Sequence, residues 1–386
     1  MTTSHQISNR QQISNGHRCS FHSREFGDKL NRKSKEVMRY TFQNIRGFGT
    51  SNKHERALAI KQFIEKYEVD VMCMAEVNQN WRNLRRTNTL EQICRKWFER
   101  TRTMSSYNSH NRERGYHLPG GVGSIVQGPL ALRAIGRFHD ERQMGRWGSQ
   151  LFQGKKGRTI RFVSVYVPNV TKEHGNKKIF CQQQDVLLRL KISGAVLKVF
   201  WEDFWAQIDT WREAGEQLVI GGNWNEKVTD KKFLKPFLDR NLVPAIQERH
   251  GTNLPATFKK GSRPIDEIFV SSTLKVVRAG YGVIGETKGD HRPLWIDITM
   301  ESALGTLPPT LHSRQPKRLR CKDPRIVDKY NYVLKQELDK HGVYHQAHRL
   351  LQTFHTPLLP KEEREFEKLD KIRESAMKKA ERKCRK

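Results

Sequence analysis

Apolar and polar positions change period several times along this chain, and each change marks an element. Val37 to Ile45, VMRYTFQNI, reads as a strand, and Ala57, Ile60, Ile64 and Tyr67 then recur at three-and-four spacing on one helical face. Val69 to Met74 returns to strand character. Further strand patterns cover Gly123 to Gln127, Leu132 to Phe138 and Thr159 to Val167, with a long polar loop expected between Arg102 and Pro119. A helical stretch from Gln182 to Gly215 carries Phe200, Trp201, Phe204, Trp205, Ile208 and Trp211, whose spacing fits one face packed into a core. It feeds the strand Leu218 to Gly221, and Ile265 to Val270 and Leu294 to Ile298 complete the series. Many strands with a few helices between them predict an α/β (α+β) domain: two mixed sheets packed together and flanked by helices.

The pattern weakens at both ends. Residues 1–36 are rich in Ser, Asn, Gln, His and Arg with few apolar anchors, a composition expected to form a disordered basic arm. The packed domain is expected over residues 37–300. Residues 301–323 read as a proline-punctuated basic linker containing PKRLRCK. Residues 324–386 read as a charged helical tail, with Ile326, Tyr330, Val333 and Leu334 on one side of its first helix, and Phe366, Leu369, Ala376 and Ala380 at helical spacing in its last segment.

Composition narrows the partners. The chain has 386 residues, 36% of them hydrophobic, which is enough for a packed core, and a formal net charge of +30. So much positive charge calls for a polyanion, nucleic acid ahead of an anionic membrane. Six cysteines lie scattered without paired spacing, which argues against a zinc site and against a secreted disulfide framework. No apolar stretch is long enough to span a membrane, and the first residues lack an apolar signal core. These features give the expectation of an intracellular protein.

Candidate chemistry gathers in short polar motifs at strand ends. Leu218 to Glu226, LVIGGNWNE, is a buried strand that delivers a polar triplet, and Asn44 and Glu76 lie at or just beyond two earlier strands. Phosphodiester hydrolysis needs a cation to neutralise phosphate charge, an activated water and donors to a crowded transition state. Mg²⁺ prefers oxygen and keeps several waters, so one or two carboxylates such as Glu76 and Asp290 suffice. In the pair Asp266 and His291, a carboxylate fixing one imidazole nitrogen would leave the other aimed at substrate. Each signal alone is weak. Specificity comes from their order: NIRG, AE, YVPN, GGNWN, SRPID and DHRPL.

That series, over roughly residues 38–299, resembles the endonuclease/exonuclease/phosphatase superfamily. The resemblance implies a four-layer sandwich of the DNase-like type, a Mg²⁺ or Mn²⁺ cofactor, and roles position by position. Asn44, Glu76 and Asp290 match the metal site. Tyr166 and Asn169 match the residues beside the scissile phosphate, and Asn225 matches the asparagine that contacts the phosphate and helps to place the nucleophile. Asp266 matches the aspartate that orients the catalytic histidine, here His291. Asn223 departs from the pattern, since the superfamily has an aspartate there that orients or deprotonates the attacking water. An amide keeps the shape and loses the base, a loss that costs about 10²- to 10⁴-fold in rate. Rescue by Glu226 or Asp230 would demand a register shift of the strand.

Within the superfamily the chain looks most like the apurinic/apyrimidinic-type endonuclease domain of a non-LTR retrotransposon polyprotein. The residues that carry this likeness are AEVNQNW, the turn Gly145 to Trp147, and the basic linker with its charged tail. It implies DNA as partner, a nuclear location, and a reverse transcriptase fused to or lost from the same polyprotein. Three readings follow: a metal-dependent DNA endonuclease impaired by Asn223, a catalytically inactive nucleic-acid-binding protein, and a phosphoesterase acting on RNA or phospholipid.

Overall fold

The computed structural model of the protein describes residues 24–49, 55–111, 115–170, 178–305, 323–353 and 359–384. They fall into two compact units that divide at Leu307 and Pro308. The first is a sandwich of two mixed β-sheets flanked by helices, as the sequence predicts. Its strands are β1 (Phe26–Gly27), β2 (Val37–Asn44), β3 (Val71–Ala75), β4 (Thr101–Ser106), β5 (Val122–Gln127), β6 (Ala134–His139) and β7 (Trp147–Gln153). They continue with β8 (Thr159–Tyr166), β9 (Gln217–Asn223), β10 (Leu242–Pro244), β11 (Asp266–Ser271), β12 (Val276–Tyr281) and β13 (Leu294–Thr299). One sheet has the order β1-β12-β13-β2-β3-β5-β4 and the other β10-β11-β9-β8-β7-β6. Helices α1 (Glu55–Lys66), α2 (Leu90–Trp97), α3 (Ile179–Arg189), α4 (Val196–Glu213), α5 (Lys231–Leu238), α6 (Ala245–His250) and α7 (Met300–Leu304) complete the unit.

Three layers of apolar contact hold it. Tyr40, Phe42, Phe162, Val219, Ile268 and Ile296 meet between the sheets. Phe63, Ile64 and Trp295 belong to a second cluster, and Phe200, Phe204, Ile208 and Trp211 of α4 pack onto the other sheet with Trp224, which follows β9. A buried guanidinium fork adds to the first sheet. Arg39 donates from Nε and Nη2 to the Asp297 carboxylate at 2.8 and 2.9 Å, joining β2 to β13.

The paired glycines of β9 show how closely the sheets approach. A Cβ on Gly221 would lie 2.4 Å from the Tyr40 hydroxyl and 2.6 Å from Phe42 Cβ, and one on Gly222 would lie 2.4 Å from the Trp224 ring. Neither position tolerates a side chain without a shift. In both sheets the two central strands run parallel, β2 beside β3 and β8 beside β9, while β13, β5, β11 and β7 run against them. Asn44, Ala75, Tyr166 and Asn223 therefore all end strands at the same end of the sandwich.

Several expectations need correction. Residues 1–23 of the expected arm lie outside the described residues, but residues 24–36 belong to the domain: Phe26 and Gly27 pair with Tyr281 and Gly280, and Leu30 is buried. The arm's few apolar residues thus find a sheet edge to cover. The polar run after Arg102 begins as strand β4, whose Thr103, Met104 and Ser106 are buried against β5 and β7, so sheet pairing overrides a polar composition. The single helix expected from Gln182 to Gly215 is two, interrupted near Gly194, which has φ +130°. Most of the expected linker, residues 306–322, lies outside the described residues, and α7 occupies its start.

The second unit contains α8 (Pro324–Lys340), α9 (Val343–Gln352) and α10 (Pro360–Cys384). Leu338, Val343 and Ala376 form its small core with Leu334, Leu369 and Ile372 beside them. Phe366, expected on the inner face of α10, is 57% exposed, because Ile372 and Leu369 take the contact instead.

Two outcomes test this packing. Gly221→Ala overpacks the sandwich and should lower stability by about 1–3 kcal/mol, read as a lower urea midpoint at unchanged slope. Glu267, on β11, is fully enclosed, and burial pushes its carboxyl up to about 8 against the amides of Ile268, Ile246 and Gln247, which pull it down. Because the folded value exceeds the ordinary 4.5, the unfolded chain ionises first and stability falls as pH rises between these values. Glu267→Gln should raise the melting temperature at pH 8.5 and leave it little changed at pH 4.5; an identical pH profile would contradict the assignment.

Candidate active site

Strand register creates the site before any side chain does. On the second sheet Tyr166 pairs with Asn223 and Asn223 pairs with Asp266, so three polar residues stand in a row across β8, β9 and β11. On the first sheet Asn44 pairs with Ala75, which leaves Glu76 just past the end of β3. The close contact of β2 with β9 then joins the two sets.

The junction is a chain of hydrogen bonds. Asn44 Nδ2 donates to Glu76 Oε1 at 2.9 Å and to Asn223 Oδ1 at 3.3 Å. Asn223 Nδ2 donates to Asp266 Oδ1 at 2.9 Å, and the other carboxylate oxygen of Asp266 lies 2.8 Å from His291 Nδ1. At the opposite end the Glu76 and Asn225 side chains lie beside the Tyr166 hydroxyl. Asn225 Nδ2 donates to the Val167 carbonyl at 2.6 Å. Asn44, Asn223, Asp266 and His291 are buried, whereas Glu76 and Asn225 are half-buried and open the row to solvent.

Backbone geometry concentrates at the same place. Glu76 has φ +48° and Asn225 φ +56°, and their neighbours Arg46 and Asn78 are also left-handed. Such conformations cost a non-glycine residue roughly 1–2 kcal/mol and persist where surrounding contacts fix them. Here the contacts are backbone bonds across the site: Gly47 N donates to the Glu76 carbonyl at 2.7 Å, and Phe48 N to the Val77 carbonyl at 2.9 Å.

Electrostatics sort the titratable groups. Burial would lower the pKa of His291, but the charge and hydrogen bond of Asp266, followed by the Asp290 and Glu76 carboxylates, raise it above the ordinary imidazole value. Tyr166 is pushed well above the usual phenol range by burial, then by Glu76, so it stays a neutral donor. Asp290 pairs with Arg46 Nη1 at 3.2 Å. Asn169 stands apart: it is exposed beyond β8, and among the described residues no hydrogen bond ties it to the row.

Among the described residues no group of three or more His, Cys, Asp or Glu side chains gathers as a metal cluster. A hydrated hard cation needs less. The partly exposed carboxylates of Glu76 and Asp290 are the oxygen donors of the right type, both close enough to act on His291.

Three supporting residues escaped the sequence reading. Gln43 is buried, donates to the His291 carbonyl at 2.9 Å and accepts from Thr287 Oγ1 at 2.7 Å, fixing the histidine's backbone. Its position directly before Asn44 was the available signal. Phe258 lies against the His291 ring with centroids 5.0 Å apart, and Arg46 neutralises Asp290. Neither contact has a local sequence mark.

No family model and no curated protein matches the chain. Solved structures do. The chain is similar to an AP endonuclease from Leishmania major, with 14% identity and a TM-score of 0.49 over 68% of this chain and 88% of that one. It is also similar to the catalytic domain of APE2 from Xenopus laevis, with 15% identity and a TM-score of 0.48 over 68% and 92% of the two chains. For the catalytic domain of human Nocturnin the identity is 16% and the TM-score 0.46, over 72% and 98%.

The Asp266–His291 pair yields a direct measurement. Asp266→Asn removes the largest influence holding the imidazole up while burial remains, so the His291 ring protons should titrate at lower pH than in the parent protein by NMR. An unmoved titration would mean that Asp266 does not govern this histidine.

Proposed function

We propose that this chain is a divalent-metal-dependent phosphodiesterase of the retroelement endonuclease type, built to nick DNA and impaired by Asn223. The observation that carries the reading is the hydrogen-bonded row from His291 through Asp266, Asn223 and Asn44 to Glu76, with Tyr166 beside it, which spans both sheets at one end of the sandwich. Glu76 and Asp290 would hold Mg²⁺ or Mn²⁺, which when bound neutralises phosphate charge. Tyr166 and Asn225 offer an O–H and an N–H toward a phosphate at the open end of the row. Asp266 holds His291 Nδ1, which leaves Nε2 for a non-bridging oxygen. A retroelement origin further implies work in the nucleus beside a reverse transcriptase of the same polyprotein.

A second reading rests on Asn223 itself. Its side chain is fully enclosed, its Nδ2 is given to Asp266 and its Oδ1 is taken by Asn44, so it can neither accept a proton nor face a water. This favours a protein that binds nucleic acid without cutting it.

Nicking of a supercoiled plasmid with Mg²⁺ separates the two. Asn223→Asp should raise the rate by about 10²- to 10⁴-fold, the range of a positioned general base. Equal rates for both proteins would assign water activation to another group. No nicking by either would leave the binding protein as the surviving reading.

A further inference from the structure

The loop that follows Glu76 has a composition and a construction that the catalytic row does not use. Residues 77–90, VNQNWRNLRRTNTL, contain three arginines and no acid. The loop is firmly built. Asn78 N donates to the Gly120 carbonyl at 2.8 Å while its side-chain oxygen accepts from Gly120 N at 2.7 Å, and Asn80 N donates to the Tyr116 carbonyl at 2.8 Å. Asn80 and Asn83 each donate from Nδ2 to the Gly115 carbonyl at 3.0 Å, while Trp81 is buried against Phe48.

On this base the arginines face outward. Arg82, Arg85 and Arg86 are all exposed, and Arg82 Nη2 is steadied by the Ser109 carbonyl at 2.8 Å. Among the described residues none of the three has an ion pair. Glu91, the nearest acid in sequence to Arg85 and Arg86, is engaged by Arg95 and Arg137. Exposed cations without an ion pair among the described residues occur elsewhere in the domain, Lys231, Lys232, Lys259 and Lys260 among them, so what distinguishes this loop is three arginines within five residues and no acid between Val77 and Leu90. Three exposed guanidiniums thus stand together on a hydrogen-bonded loop that begins directly after Glu76.

We propose that Arg82, Arg85 and Arg86 form a phosphate-tracking edge that grips the nucleic-acid backbone at phosphates beyond the one in the catalytic row. This rests on the functional reading above. Guanidiniums suit phosphate oxygens by geometry as well as charge, and each phosphate they neutralise releases counterions from the polymer. The edge carries no base-reading geometry, so it contributes affinity independent of sequence.

The test is the salt dependence of binding to a DNA duplex, measured in EDTA so that chemistry plays no part. Replacing Arg85→Gln together with Arg86→Gln should reduce the slope of log affinity against log salt by about 2, near 0.9 for each phosphate no longer neutralised. Lys198→Gln with Lys235→Gln removes equal charge from exposed helix positions, 71% and 74% exposed, and should leave the slope unchanged. An equal reduction in both pairs would reduce the effect to net charge and overturn the edge. So would an unchanged slope in the arginine variant, a total lack of DNA binding, or stronger arginine-dependent binding to phosphatidylserine vesicles than to duplex. A protein that nicks with an unchanged slope refutes the edge alone, and one with the reduced slope but no nicking in any variant refutes only the cutting reaction.

Discussion

The close approach of β2 to β9 is the constraint on which the rest of the domain depends. Tyr40 and Phe42 fill the space that a side chain on Gly221 would need, so the two sheets meet there at backbone distance. Two residues further along both strands, that spacing brings Asn44 within 3.3 Å of Asn223. Had larger residues separated the sheets, Asn44, Glu76 and His291 on one side and Asn223 with Asp266 on the other would be two half sites. The core therefore sets the dimension at which polar groups from distant parts of the sequence can share hydrogen bonds.

Within that geometry Asn223 occupies an electrically specific place. It donates to a carboxylate on one side and accepts from an amide on the other, so every polar atom of a fully enclosed side chain is satisfied without adding charge. An aspartate of the same shape would turn an acceptor toward Asp266 at the same 2.9 Å and leave two carboxylates facing each other. Like charges that close cannot both ionise without a counterion, so the carboxylate version depends on a shared proton or a cation. The amide removes that dependence. Asn223 thus gives a row whose hydrogen bonds close without added charge.

Much of this was legible in the sequence because it was local. Strands such as Val37 to Asn44 and Leu218 to Asn223 declare themselves by dense apolar runs, and the site residues sit at their ends in a fixed order. What the sequence hid was long-range. Strand β4 is polar and gains its identity from pairing with β5, β1 is two residues long and exists only because β12 offers an edge, and β7 was visible only as a turn at its start. Gln43 supports His291 across a separation of 248 residues, a relation that no spacing rule contains. Phe366 failed for the opposite reason, since helical spacing assigns it to a face, but only the neighbouring helices decide which face is covered.

Charge and chemistry occupy different layers of this molecule. The row from His291 to Glu76 is mostly buried, its members fixed by strand register and by bonds to one another, and it contains the carboxylates of Asp266 and Glu76. The arginines of the loop after Glu76 are exposed, and their loop is held by the bonds of Asn80 and Asn83 rather than by the buried row. A change at buried Asn223 therefore leaves these exposed cations in place. The Coulomb field of a +30 chain depends on the number and exposure of its cations, not on the protonation state of any one buried residue, so the two layers are set by separate parts of the sequence.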